Sequence, residues 1–462
     1  MSEFHEQTEV QQLAEFIARA DIQDISPEAL WQLKIRVLDT LGVAIGALEA
    51  EPIIAIKGLL EDLGGTPQST MIGGGKTSPE RAAFYNSALS RYLDFMDSYL
   101  AKGETNHPSD NFGAVLAAAE SQDADGTVLL TAFAIAYQVH TRLSDVAPVR
   151  AKGFDHTTQG VYAAAAAAAK AFGLNQDQIA NAIAIAGTAN NALRVTRTGD
   201  LSNWKGLAYP QVAKEGTWSA LLAGRGITGP TEVFEGNKGF KESIAGDFEL
   251  DWSAEDLEMV RKSIIKKHNA EIHSQSALDA ALDVRGQHGF DVSQIRDIQL
   301  KTFDVAYSII GGGEEGDKRN IQTKEEADHS LPWMLAAILL DGELTPEQYE
   351  PHRIVASDVQ TLMQKVSIIP DAAFSDRFPD AMPAELTVTL ENGTILKATR
   401  DSYEGFHDNP LTWDGARKKF DRLATPYAND ELRDQIAEIV RNLEEHKVAE
   451  LTGLLQHVGA ER

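Results

Sequence analysis

"AELTVTLENGTILKA", residues 384–398, separates a wholly helical protein from one that also carries a sheet. Leu386, Val388 and Leu390 alternate with Glu385, Thr387 and Thr389, the pattern of a strand with one buried face. Asn392-Gly393 follows as a type I′ hairpin signal, and a second strand is expected beyond it. Upstream, "IRDIQLKTF" (295–303) alternates in the same way, with Ile298, Leu300 and Thr302 on one face and Asp297, Gln299 and Lys301 on the other. A small sheet is therefore expected in the last third of the chain.

Outward from that region the texture is helical. "PEALWQLKIRVLDTLGVAIGAL" (27–48) and "TVLLTAFAIAYQVHTRL" (127–143) repeat apolar residues at spacings of three and four, and turn signals such as "LGGTP", "ADGT", "KGFDHTT" and "RGITGP" separate such runs. "GVYAAAAAAAKAFGL" (160–174) carries seven consecutive alanines, which favour helix and let neighbouring helices approach closely. Tyr162, Phe172 and Leu174 make it a packed central helix rather than a low-complexity tail. "NDELRDQIAEIVRNLEEHKVAELTGLL" (429–455) returns to helix, with Asn429 or Asp430 placed to cap it. The expected fold is mainly α: a large helical domain formed by both chain ends (1–267 and 406–462) and an inserted, smaller α+β domain (268–405). No internal repeat and no dinucleotide or P-loop glycine signature interrupts this reading.

The 462 residues suffice for two domains with large cores. No apolar run of about 18 residues reads as a membrane span, and the acidic, polar start "MSEFHEQTEVQQLAEF" matches neither a signal nor a transit peptide, so a cytoplasmic protein is expected. With 42 basic against 69 acidic residues, a net charge of -27 argues against nucleic-acid and anionic-membrane partners, which are bound through excess Lys and Arg. A high-salt habitat is one reading of that surface. The chain has no cysteine, which excludes disulfides, thiolate nucleophiles and cysteine-ligated iron–sulfur clusters.

In so acidic a chain, local gatherings of cations are informative. "LDFMDSYLAKGETNHPSDN" (93–111) places Asp94, Asp97 and Ser98 at i, i+3 and i+4, on one face if the stretch is helical, and then His107 ahead of a helix start at which Ser109 or Asp110 is the expected cap. His156 precedes the alanine helix in the same way, with Asp155 or Thr157 as cap. "RTGDLSNWKGLAYPQVAKEG" holds Arg197 and Lys205 in an expected polar loop, and "IIKKHNAEIHSQSALDAAL" packs Lys266, Lys267, His268 and His273 ahead of a helix starting near Ser274. Free amides at helix starts favour anions, so four such junctions suggest a pocket for a multiply charged anion. The histidines lack HxxxH or HExxH spacing, so no metal is expected, and no GxSxG elbow appears.

Seven motifs in order carry a family resemblance: the 93–111 stretch, "GFDHTTQGV" (153–161), "SNWKGLAYPQVAKEG" (202–216), "PTEVFEGNKGF" (230–240), "NAEIHSQSALDAAL" (269–282), "ADHSLPWMLAAILLDGELT" (327–345) and "NPLTWDGARKKF" (409–420). Together they resemble the MmgE/PrpD family, which includes 2-methylcitrate dehydratase, cis-aconitate decarboxylase and iminodisuccinate epimerase. The resemblance implies a helical domain, a smaller α+β lid, a site between the two, a homodimer and a small tricarboxylate substrate without a cofactor. "HPSDN" and "AEIHSQ" look most like the methylcitrate dehydratase branch, whereas Met96 and "LAKGETN" depart from its pattern.

By the same resemblance, Asp94, His107, His156, Lys205 and Lys266 map to catalytic positions, with Ser98, Lys267, His273, Tyr307 and His329 as substrate-binding positions. His107 or His156 acts as acid/base, Asp94 orients that ring or shares its work, and the lysines hold carboxylates. Tyr307 either faces the site or is a strand residue packed in the core; His329 either faces the site or caps a helix. The same residues would serve dehydration, decarboxylation or epimerisation, since each forms a carbanion beside a carboxylate. A non-catalytic scaffold whose basic loops bind an acidic partner is the reading from another class, and it predicts no thermal stabilisation by tricarboxylates.

Overall fold

The computed structural model describes residues 7–199, 201–314 and 316–459. The chain is mainly α, and it divides into two compact units: Met1–Arg197 with Asn203–Ser263 and Thr412–Arg462, and Ile264–Leu411 with Thr198–Ser202. Among the described residues, no helix is long and apolar enough to cross a membrane.

The first unit contains α1 (Glu9–Arg19), α2 (Pro27–Gly46), α3 (Glu51–Leu63), α4 (Pro79–Tyr92), α5 (Phe112–Ser121), α6 (Gly126–Val146), α7 (Thr157–Ala171), α8 (Gln176–Ala189) and α9 (Trp204–Gly224), joined by the returning helices Trp413–Ala424, Asp430–Arg441 and Val448–Leu455. Two short antiparallel pairs accompany them: β1 (Ser69–Thr70) with β2 (Lys76–Thr77), and β3 (Asp97–Leu100) with β4 (Thr105–Asn106). Helix α2 begins where the Ser26 side chain accepts from the Ala29 amide and Pro27 occupies a position that needs no donor.

The alanine helix α7 is buried throughout its alanine run and packs against α5, α6, α8 and α9. The reason is reach. A Cβ at Gly216 of α9 would stand 2.8 Å from the Ala165 amide nitrogen, so that contact demands glycine on one helix and alanine on the other. The return of the chain uses the same device, because a Cβ at Gly42 of α2 would stand 2.9 Å from the Cα of Phe420. Phe420 is fully buried, and truncation to Ala would cost about 3–5 kcal/mol. Asn429, through its side chain, caps the helix that follows by accepting from the Leu432 amide.

In the second unit a four-stranded sheet is covered by helices. Strand β5 (Ile295–Thr302) lies between β6 (Val366–Pro370), parallel to it, and β7 (Ala384–Leu390), antiparallel; β8 (Ile395–Arg400) completes the sheet beside β7. Ile298, Leu300 and Thr302 face inward as their alternation predicts, and a bulge between Ile295 and Asp297 turns Ile295 inward as well. Ile295, Ile298 and Leu300 pack with Leu386 and Val388 on Leu278, Ala281 and Val284 of α10 (Gln275–Arg285) and on the buried Trp333 and Leu335, in a core that continues to Leu362.

The hairpin departs from type I′. Only Gly393 has a positive φ (84°) in that loop, the Gly393 amide donates to the Leu390 carbonyl, and the Leu390 amide donates to Thr394. This is a three-residue loop with glycine in the left-handed position, so Asn392 is spared the conformation that type I′ would impose on it.

Candidate active site

In the helical unit the first cluster is built where α4 ends. The chain does not continue as a helix through Asp97 and Ser98: Asp94 has φ 53°, and residues 97–100 form β3. A left-handed Asp is uncommon, and here its carboxylate is held by the Arg91 Nη1 at 2.6 Å and faces the Lys205 Nζ at 3.5 Å. Lys205 itself is not in a loop but in the first turn of α9, buried.

The β3–β4 pairing, Tyr99 opposite Asn106 and Leu100 opposite Thr105, folds the chain back so that Ser98 meets His107. The Ser98 Oγ lies 3.0 Å from the His107 Nδ1, and the Asp97 carbonyl lies 2.8 Å from the same nitrogen. His107 occupies the N-cap position of a short 3-10 turn, Pro108–Asn111, and Asn111 rather than Ser109 or Asp110 stands at the cap of α5.

His156 stands at the N-cap of α7, where the Asp155 carboxylate accepts from the Thr157 amide at 3.3 Å. Its ring is edge-on to His107, with centroids 5.4 Å apart, and stacks at 6.1 Å on both His140 and Tyr209. Neither His156 ring nitrogen has a hydrogen-bond partner among the described residues. Burial pushes this imidazole well below the usual histidine range, and the charges of Arg197, His140, Arg91 and Arg194 push it the same way, so the ring is held neutral, with a lone pair but lowered basicity. Burial likewise takes His140 down to about 3. Arg197 pairs with the buried Asp155 at 2.6 Å; burial would raise that carboxyl, but Arg197 and Arg194 outweigh burial and hold it below the usual range. Asp110, also buried, is raised to about 7 by burial and by Asp97 and Asp94, against the pull of Arg91 at 3.6 Å and of Arg197.

In the sheet-containing unit Lys266 is buried, and Glu271 accepts from the His273 amide at 2.8 Å while its other oxygen faces the His273 Nδ1 at 2.7 Å. Burial would raise Glu271, yet His273, His329 and Lys266 together hold it down at about 2. His329 faces Asp328, which also pairs with Lys324 at 3.2 Å. The cap of the next helix, Leu331–Asp341, is Ser330 rather than His329. Lys267 turns away from this group to Asp279, which it shares with His268. Tyr307 lies on a short helix, Asp304–Ile310, and is half-buried rather than a strand residue in the core.

The structure thus joins Asp94 with Lys205, and Ser98 with His107 and His156, in one unit; Lys266, His273 and His329 share Glu271 in the other. Sequence reasoning passed over Arg91, His140, Tyr209 and Glu271, and took Asp110 only as a candidate helix cap. Glu271 had a signal, standing two residues before His273, whereas His140 lies in an apolar helical run that reads as core. Asp97 is buried, and Lys102 is exposed.

Residues 11–253 match the MmgE/PrpD N-terminal domain and residues 268–445 the MmgE/PrpD C-terminal domain. The chain is 27% identical over 387 residues to the 2-methylcitrate dehydratase of Cupriavidus necator, and 28% identical over 387 residues to that of Escherichia coli (strain K12), covering 78% of each partner in both comparisons. It is 26% identical over 444 residues to the cis-aconitate decarboxylase of Mus musculus, covering 89% of this chain and 86% of that protein. Both of its domain matches, over most of its length, place the chain in the MmgE/PrpD family.

Proposed function

We propose that this chain is a hydro-lyase that dehydrates a tricarboxylate, 2-methylcitrate to 2-methylaconitate, with side chains alone and without a cofactor. The observation that carries the reading is His156: a neutral, buried imidazole whose nitrogens have no hydrogen-bond partner among the described residues, set against His107, 3.8 Å from the Asp155 carboxylate and beside cations. Dehydration removes a weakly acidic proton from carbon next to a carboxylate and expels hydroxide from the neighbouring carbon, so it needs a base, an acid and charge stabilisation. His156 takes the carbon-bound proton, the C–H electron pair becomes the new double bond, and the C–O pair leaves with the hydroxyl, which His107 protonates to give water. Lys205 and Lys266 hold substrate carboxylates as point charges and stabilise the developing aci-carboxylate, with Asp94 orienting Lys205. Ser98, His273, Tyr307 and His329 are proposed to contact substrate, whereas Lys267, expected as a further contact, is held by Asp279.

The long match to a cis-aconitate decarboxylase supports a second reading, in which the carbanion arises by loss of carbon dioxide. Incubation with 2-methylcitrate, citrate, cis-aconitate and iminodisuccinate, followed by NMR, tests both. Water loss from 2-methylcitrate alone is expected; conversion of cis-aconitate alone would replace the dehydratase by the decarboxylase, and no conversion of any of the four would overturn both. A homodimer is expected in light scattering.

A further inference from the structure

We propose that Asp97 is the positioning residue that makes Nε2 the nitrogen through which His107 exchanges its proton. The inference rests on the acid/base role given to His107 above.

Asp97 grips the His107 turn on both sides of Pro108. Its main-chain oxygen lies 2.8 Å from the His107 Nδ1, and its carboxylate Oδ1 accepts from the Ser109 amide at 3.1 Å. The carboxylate is itself fixed: Oδ2 accepts from the Tyr137 hydroxyl at 2.6 Å and lies 3.9 Å from the Arg36 Nε. Asp97, Tyr137 and Arg36 are all buried. Arg36 is anchored in turn, since its Nε donates to the Ser263 Oγ at 2.7 Å and its Nη2 to the Ser263 carbonyl at 2.8 Å.

A carbonyl oxygen can only accept, so the nitrogen it faces must carry the hydrogen. Ser98, at 3.0 Å from the same Nδ1, accepts a share of that hydrogen through its Oγ. In the neutral ring the lone pair is then on Nε2, and in the charged ring Nε2–H is the proton that can leave while Nδ1–H stays bound. The Asp97 side chain is spent on backbone and phenol and works through the ring it places.

Other ionisable groups surround this carboxylate: Arg36 and Asp39 on α2, Tyr137 on α6, Asp110 in the turn before α5, and Tyr209 on α9. Burial and the adjacent Asp97 charge keep Tyr137 protonated, which fixes the phenol as the donor in its hydrogen bond.

The test uses the full-length protein with isotope-labelled histidine rings, read by long-range proton–nitrogen NMR at neutral pH, with His107 resonances identified by their loss in His107→Ala. The wild-type ring is expected as the Nδ1–H tautomer. Asp97→Ala is expected to yield a mixture of tautomers and to lower kcat for 2-methylcitrate about 10²-fold, with KM changed less than about threefold, the pattern of a displaced but present catalytic group. Tyr137→Phe, which keeps the fold if Asp97→Ala does not, is expected to show the same change in smaller degree, and Asp97→Asn to retain the tautomer and part of the rate. An Nε2–H ring in the wild type overturns the proposal, as do wild-type kcat and tautomer in Tyr137→Phe together with either Asp97 variant. Full turnover in His107→Ala would instead remove the acid/base reading on which the proposal rests, so the two failures are told apart.

Discussion

His140 and His156, in the helical unit, are buried among aromatic rings, with arginine charge close to His156 and the Asp155 carboxylate 3.8 Å from its Nε2, whereas His268, His273 and His329, in the sheet-containing unit, each face a carboxylate at 2.8 Å or less. The same side chain is thereby prepared for two tasks. Burial and neighbouring cations keep an imidazole neutral, with a lone pair to offer but lowered basicity; an ionised carboxylate against the ring favours hydrogen on the facing nitrogen and so fixes the tautomer. Lysines divide similarly: Lys205 and Lys266 are buried, while Lys267 is exposed and paired with Asp279. Burial with a specific partner, more than residue type, separates the proposed chemical groups from supporting ones.

The largest test of this contrast removes its members from the helical unit. His107→Ala and His156→Ala are expected to lower turnover of 2-methylcitrate by about 10³-fold or more while thermal unfolding stays near wild type, and Lys205→Ala to abolish it. Full activity in His107→Ala or Lys205→Ala would break the site assignment. In the other unit, Glu271→Gln takes the charge from behind His273; a rise of about tenfold in KM is expected, the scale of one charge-assisted hydrogen bond, and an unchanged KM would show that this carboxylate serves the fold alone.

The pH dependence of stability sharpens the comparison. His140 is lowered from 6.5 to about 3, so its contribution to stability is fully present above pH 6.5 and is lost as the pH falls from there through about 3. Near pH 5 the loss is on the order of 2 kcal/mol. Calorimetry of His140→Asn should show a flatter decline than wild type between neutral and mildly acidic pH; an identical slope would mean that the ring is not held neutral. The smallest effect is expected from Lys102→Ala, whose exposed side chain lies in the turn between β3 and β4: unfolding within about 0.5 kcal/mol of wild type and unaltered turnover.

Much of the fold was legible because its signals are local. The alternation in 384–390, the alanine run and the Asn429 cap each depend on neighbours in sequence. The site was legible as four junctions but not as an arrangement. A spacing of i, i+3 and i+4 reads as one helical face, and nothing local announces that Asp94 leaves the helix or that Ser98 returns in a strand to meet His107. Arg91, one turn before that exit, looks like an ordinary helical surface residue until Asp94 and Asp110 are seen beside it. His140 was hidden for the opposite reason, since its helix is buried on nearly every side and the periodicity has no exposed face to contrast with it.

The backbone at Asp94 also governs how that position can be interrogated. With φ at 53°, it is tolerant of Asn and Gly and strained for residues with a bulkier or branched Cβ. Asp94→Asn therefore removes a charge and little else, whereas Asp94→Val would mix lost charge with a conformational penalty. In a saturation library, a profile that admits Asn and Gly but rejects Glu would report main-chain geometry, and one that rejects Asn as well would report the carboxylate.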